Sequence, residues 1–294
     1  MKIFAIVLIV LLAACARNGS GSSTTPAPSA SSGVSHPTAA DELVFSWAQE
    51  GGFAPAADVL TRIPNFALLG DGTVITPGAQ IMIYPGPFLP SLQARQLSEA
   101  GVRQLLAMLL DSGAFERSAE LTDMGNIADA STAVFKLNAG GRNIMVSAYA
   151  LTETSEFPVT SPAEAQVREA LLGVIEELEK LESADVWVED EWQSISPPAL
   201  RLYVTPRPAN GEGEEFRNER AWPLSVAPDQ FGQSTQNDYR CDVVADEELA
   251  ALLPQLQRAN SETVWLHEDV AYQLIAKPLL HKPFDCGEAG ASGY

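Results

Sequence analysis

Residues 131–151 read Ser-Thr-Ala-Val-Phe-Lys-Leu-Asn-Ala-Gly-Gly-Arg-Asn-Ile-Met-Val-Ser-Ala-Tyr-Ala-Leu. Residues 161–181 read Ser-Pro-Ala-Glu-Ala-Gln-Val-Arg-Glu-Ala-Leu-Leu-Gly-Val-Ile-Glu-Glu-Leu-Glu-Lys-Leu. The first stretch predicts two strands, Thr132–Asn138 and Asn143–Leu151, folded about Ala139-Gly140-Gly141-Arg142. The second opens on a capping box, Ser161 to Glu164, with proline at the first helical position. Its apolar residues Val167, Leu171, Val174, Leu178 and Leu181 recur at 4-3-4-3 spacing, a single helical stripe. Glu169, Glu176, Glu179 and Lys180 lie off that stripe. A tight hairpin followed by an amphipathic helix points to an α+β fold built on antiparallel sheet.

The flanking sequence extends the pattern. Phe66–Leu69 and Thr73–Ile75 form a hairpin about Gly70-Asp71-Gly72, where Asp-Gly supplies positive φ. Ile81–Tyr84 reads as a further strand, broken by Pro85-Gly86-Pro87 and Pro90. Ser98 caps a helix to about Asp111 that buries Val102, Leu105, Leu106 and Leu109, with Gly113 as its stop. On the other side, Leu200–Thr205 alternates as a strand, and a Gly/Glu-rich loop runs from Pro206 to Glu219. Order resumes at Trp222-Pro223-Leu224. A strand at Arg240–Val244 leads into a helix capped by Asp246, with Leu249, Leu252, Leu253 and Leu256 on one side and Asn260 at its end. Thr263–Leu266 and Val270–Ala276 close a last hairpin about His267-Glu268-Asp269.

Each half thus runs from early strands to one helix to a Thr-led hairpin. The expectation is two related α+β units, each an antiparallel sheet with one covering helix, linked by the long amphipathic helix. The expected spans are 1–14 for a signal peptide, 15–40 for a lipidated cysteine and tether, and 41–160 for the N-terminal unit. The connecting helix takes 161–184 and the C-terminal unit 185–294.

The chain has 294 residues, 46% of them apolar, with 18 Lys+Arg against 38 Asp+Glu. That apolar content excludes wholesale disorder. A formal charge of −20 argues against nucleic acid, whose phosphates require clustered cations. Lys2 precedes the apolar run Ile3–Leu11, and Leu12-Ala13-Ala14-Cys15 looks like a bacterial lipobox. On that likeness Cys15 carries the lipid: two acyl chains anchor stably where one is marginal. Arg17 to Ala40, rich in Ser, Gly, Thr, Pro and Ala, reads as a tether with a root-mean-square reach of about 27 Å at ~5–6 Å × √n. After Cys15, only Cys241 and Cys286 remain. An even pair in an exported protein is expected to form a disulfide.

Three segments resemble a family of uncharacterised secreted bacterial lipoproteins: Gly70–Ile75, Tyr84-Pro85-Gly86-Pro87-Phe88-Leu89-Pro90, and Lys277-Pro278-Leu279-Leu280 ahead of Cys286. The likeness spans most of residues 60–286, and in relatives the last segment reads Arg-Pro-Leu-Leu-Pro, from which Lys277 and His281 depart. The resemblance implies a lipoprotein with a disulfide and brings no activity and no catalytic residue.

No nucleophile elbow, phosphate loop or His-Glu-x-x-His motif occurs. His36 falls in the tether. His267 and His281, with Glu268 or Asp269, are a conceivable metal set, but solvated surface histidines are the ordinary reading. Asp185, Glu189, Asp190 and Glu191 are the densest acidic run and offer oxygen ligands for Ca²⁺, without the Gly and alternating ligands of a calcium loop. Asp123, Asn126 and Asp129 form a second such group. Trp222 and Trp265 sit in core-like patterns, whereas Trp47 is the better candidate for an exposed carbohydrate platform.

The sequence therefore points to no catalytic residue, cofactor or metal. It reads as a lipid-anchored extracytoplasmic protein without catalysis, a binding or envelope-assembly component whose partner is an unidentified protein or small molecule. Two alternatives stand beside it. One is a hydrolase using carboxylates in a groove between the units. The other is an inhibitor presenting Pro85–Pro90 as a wedge.

Overall fold

A computed structural model describes residues 33–123, 127–153, 161–207, 217–235 and 238–287. Cys15, with the rest of the leader and most of the tether, lies outside the described residues, as does Asn126. The strands are β1 (Leu43–Gly51), β2 (Phe66–Leu69), β3 (Thr73–Pro77), β4 (Leu92–Gln96), β5 (Ala119–Leu121), β6 (Ser131–Ala139) and β7 (Arg142–Tyr149), followed by β8 (Gln193–Ile195), β9 (Ala199–Pro206), β10 (Asn218–Ala221), β11 (Gln233–Ser234), β12 (Arg240–Ala245), β13 (Thr263–His267) and β14 (Val270–Leu279). The helices are α1 (Ala56–Thr61), α2 (Glu99–Asp111), α3 (Pro162–Leu181) and α4 (Asp246–Leu256).

The fold is α+β, with two sheets dominated by antiparallel pairs. The first runs β5-β7-β6-β1-β2-β3-β4-β8 and the second β10-β13-β14-β9-β12-β11. Only the edge pairs β5–β7 and β10–β13 are parallel. The β6–β7 turn is the two residues Gly140-Gly141, both at positive φ, which only glycine adopts without strain. At the β2–β3 turn only Gly72 has positive φ, so Asp71 does not supply a second such angle. Gly70 is needed there for closeness: a Cβ would lie 2.5 Å from the Ala39 carbonyl oxygen, where the chain entering β1 crosses the turn.

One face of the first sheet packs on helices. Phe45, Phe66, Leu68, Phe135, Leu137 and Val146 meet Val102, Leu105, Leu106 and Leu109 of α2 and Leu171, Val174, Leu178 and Leu181 of α3. The helix expected to connect two units is thus a second cover on this sheet, which carries two helices, not one. Its whole stripe is taken up by this one core. The second sheet buries Leu200, Leu202, Val204, Leu274 and Ala276 against Leu249, Leu252 and Leu256 of α4.

The opposite faces are also occupied. Leu43, Ala67, Leu69, Ile75, Leu92 and Ala94 of the first sheet pack with Ile63 and with Leu280, just past β14. Tyr203, Cys241 and Ile275 of the second sheet pack with Cys286 and with Ala57 and Leu60 of α1. The two sheets therefore lie back to back, with α1 and the tail after β14 between them. The described residues from Val34 onward form one compact unit. β8 pairs with β4, so the chain leaves the first sheet only after Ile195, past the expected boundary at 185.

The halves do not share a topology. In the first sheet the leading hairpin strand, β6, lies beside the first strand β1. In the second the trailing strand, β14, lies beside β9. The hairpins are inserted in opposite senses, so the common order of helix and hairpin is not a structural repeat.

Ile81–Tyr84 is not a strand. β3 ends at Pro77 and β4 begins at Leu92, so the intervening chain leaves the sheet and has no partner strand. Asp246 makes no side-chain cap; the α4 N-cap position is Ala245. Ser98 and Ser161 do cap α2 and α3, accepting from the amides of Gly101 and Glu164. The reciprocal half of the expected capping box is rerouted. The Ser161 amide donates to Asp123 Oδ2, while Glu164 Oε1 accepts from the Asp123 amide. No helix among the described residues is long and apolar enough to cross a membrane.

Candidate binding cleft

Three of the five tryptophans converge where the last turn of α3 meets the first sheet. Trp47 comes from β1 and Phe66 from β2, two central strands with these residues directly paired. Trp187 and Trp192 come from the loop after α3. That loop is pinned to the β4 edge by a Leu97–Trp187 bridge and by the Val188 amide donating to Gln96 O. Together with Ile175 and Leu178 of α3 they line a shallow cleft of about 140 Å³ that opens to solvent. Asn65 and Thr76 contribute polar groups to its sheet side, and Glu179 and Glu182 to its helix side.

The indoles are held in place. Trp187 Nε1 donates to Leu181 O at 2.8 Å, and Trp192 Nε1 donates to Glu182 Oε1 at 2.9 Å. Their rings are 5.4 Å apart at 60°, forming an aromatic corner. Trp47 stacks on Phe135 at 6.2 Å and 15°. Its Nε1 is shielded from solvent and has no hydrogen-bond partner among the described residues. The Arg95 guanidinium lies 4.5 Å from the Trp187 ring centroid, within the range of a cation–π contact. Its Nε and Nη1 donate to the backbone carbonyls of Glu189 and Glu182. It pairs with neither carboxylate among the described residues.

The sequence singled out Trp47 and the run Asp185, Glu189, Asp190 and Glu191 separately. The four acidic residues are all exposed on the loop that carries the indoles. Glu179, which lies off the apolar stripe of α3, borders the cleft, and so does Glu182, which the helix pattern does not single out. Their signal was the spacing of 8 and 5 residues to Trp187, which acquires meaning only once the loop folds back on α3.

The other candidates are dispersed. His267 ends β13 and His281 follows β14, so the two stand at opposite ends of a ten-residue strand, roughly 30 Å apart at ~3.4 Å per residue. They share no metal site. His36 Nδ1 lies 2.6 Å from Pro37 O. Asp123 serves the start of α3, and the Asp129 carbonyl accepts from the Phe53 amide. No group of three or more His, Cys, Asp or Glu able to hold a metal occurs among the described residues. Trp265 is core and Trp222 is half-buried against Phe231 and Tyr272. The Pro-rich segment is engaged within the protein. Phe88 meets Trp265 edge-on at 6.0 Å, the Ser261 amide donates to Gly86 O, and Tyr84 donates to Glu262 Oε1. It joins the β3–β4 connection to the second core and is not a free wedge.

Between the sheets, Lys277 projects from the back face of β14, and its ammonium makes no hydrogen bond or ion pair with a described residue. Its pKa is held below the ordinary lysine value, first by burial, then by the Arg201 guanidinium opposite it on β9 and by Lys136; Glu50 offsets part of this. The sign of the linkage follows. Between the depressed folded value and the unfolded value of 10.5, the unfolded chain binds the proton that the folded one has released, so stability rises with pH across that window. Lys277→Met should remove this rise and stabilise the protein below it. Urea midpoints of both proteins at several pH values from neutral to 10.5 test this, and parallel curves for the two would refute it.

Compared with protein-family models, curated proteins and solved structures, the chain finds no match.

Proposed function

We propose that this chain is a lipid-anchored component of a bacterial cell envelope, displayed on the extracytoplasmic face and working by binding, not by catalysis. The binding part rests on the aromatic cleft: a concave, largely apolar site with a few fixed polar groups is the usual form of a small-molecule site. The anchoring part rests on Leu12-Ala13-Ala14-Cys15 behind a short apolar run. The buried Cys241–Cys286 disulfide agrees with an oxidising compartment.

Fractionation tests the anchor. Wild-type protein should sediment with membranes and incorporate labelled fatty acid, and Cys15→Ser should move to the soluble fraction. A Cys15→Ser protein that stays with the membranes, alongside an unlabelled wild type, would overturn the anchoring.

A further inference from the structure

We propose that the cleft at the end of α3 takes an organic ammonium ion whose nitrogen is fully alkylated. This deepens the binding reading above and rests on it.

Three independent sources of negative potential meet there. The first is the pair of carboxylates, Glu179 and Glu182. The Glu179 carboxylate makes no hydrogen bond or ion pair with a described residue, and Glu182 uses one oxygen to hold Trp192. The second is α3 itself. It is a 20-residue helix whose carbonyl end, the negative end of its dipole, borders the cleft. The only basic residue of that last turn, Lys180, is paired with Glu177 on the exposed side. The third is the set of indole faces, whose quadrupoles attract cations. Arg95, which lies over Trp187 and donates to Glu182 O, offsets part of this potential and shows that an indole face here accepts a cation.

The lining decides which kind of cation. Trp47, Phe66, Ile175, Leu178 and the two loop indoles present carbon to the interior. A primary ammonium would lose its water there and find few acceptors. An alkylated one is weakly hydrated, donates no hydrogen bond, and gains from contact with ring faces. The indoles are fixed by their own Nε1 hydrogen bonds before anything binds, so little ordering is required of the site.

The test uses the full chain purified in detergent. Its tryptophan fluorescence is titrated with choline, with the uncharged isostere 3,3-dimethylbutan-1-ol, and with N-acetylglucosamine. The expected result is a saturable change with choline, about tenfold weaker binding of the isostere, and loss of affinity on adding salt. Glu179→Gln should weaken choline severalfold, whereas Glu176→Gln, on the exposed face of α3, should not. An isostere that binds as tightly as choline would make the cleft merely apolar. Tighter binding of the sugar would make it a saccharide site. No saturable change in protein with an intact near-ultraviolet circular dichroism spectrum would remove the site. Each of these overturns the proposal. Anchoring is read separately by fractionation, so a failed anchor leaves this titration standing, and a failed titration leaves the anchor standing.

Discussion

Replacing Arg168 with methionine should lower stability by roughly 3–5 kcal/mol, the range for breaking a buried ion pair from one side. Arg168 is 1% exposed, on a helix whose other buried positions are apolar. Its guanidinium joins three elements. Nη1 donates to Tyr149 O at the end of β7, Nη2 to Leu121 O at the end of β5, and Nε and Nη2 to Glu164 Oε1 in the first turn of α3. Removing it leaves two carbonyls and a mostly buried carboxylate without their partner, which is the costly half of the asymmetry in buried hydrogen bonding. Methionine fills much of the stem volume, so the loss reads the polar contacts more than a cavity. Glu164→Gln keeps an acceptor and should cost less. The double variant Arg168→Met/Glu164→Leu should be less unstable than the sum of its singles, because it strands no charge. Urea denaturation of wild type, the singles Arg168→Met, Glu164→Gln and Glu164→Leu, and the double variant measures this, provided the slopes agree. An Arg168→Met midpoint within about 1 kcal/mol of wild type would show that these contacts are replaced by water without loss.

The elements that sequence made legible are those fixed by local chemistry. Gly140-Gly141 between alternating strands, Ser98 and Ser161 before apolar stripes, and the 4-3-4-3 spacing of α3 each determine conformation within a few residues. What escaped depends on partners distant in sequence. Ile81–Tyr84 has the composition of a strand, but Pro77 and Gly78 carry it off the sheet. Arg168 follows Val167 on α3 and looks like an ordinary polar neighbour; only carbonyls 19 and 47 residues away reveal it as buried. The order of helix and Thr-led hairpin is common to both halves, yet strand order is set by which hairpin strand meets the first strand. Nothing local distinguishes β6 from β14 in that respect.

The cleft was legible only in fragments. Trp47 stood out near the tether, and the acidic run stood out between Trp187 and Trp192. Their convergence requires the loop after α3 to turn back along β4, which it does through the Leu97–Trp187 bridge and the carbonyl bonds from Arg95. The bridge is a backbone interaction, and the Arg95 guanidinium finds backbone carbonyls 87 and 94 residues away, so neither leaves a local signature in the sequence. Pro85–Pro90 failed in the opposite direction: its rigidity was legible, but its docking against Trp265 was not, since that contact joins residues 177 apart.

Reducing the Cys241–Cys286 disulfide, or replacing both cysteines with alanine, should cost about 4 kcal/mol by the loop-closure relation for a 45-residue separation. The Cα atoms are 6.0 Å apart, an ordinary bridging distance, and both residues are buried. The closed loop contains α4, β13 and β14, most of what builds the second sheet's core. It also fixes the tail that carries Leu280 into the first sheet's back face. Other contacts hold that tail as well: the Lys282 ammonium pairs with Asp41 at 2.7 Å and its amide donates to Asp41 O at 2.8 Å, while Arg201 Nε donates to Asp285 O at 2.7 Å and its Nη2 lies 3.5 Å from Asp285 Oδ1. The two ion pairs among them are at least partly exposed, and pairs of that kind contribute little. The reduced protein should therefore keep its fold at neutral pH but unfold at a clearly lower urea concentration. Its amides over 280–287 should exchange with solvent sooner than those of β14. Non-reducing peptide mapping should find the two cysteines in one cross-linked fragment. If both were freely alkylated in native, unreduced protein, or if reduction moved the midpoint by less than about 1 kcal/mol, the bridge would not be what ties the tail to the second sheet.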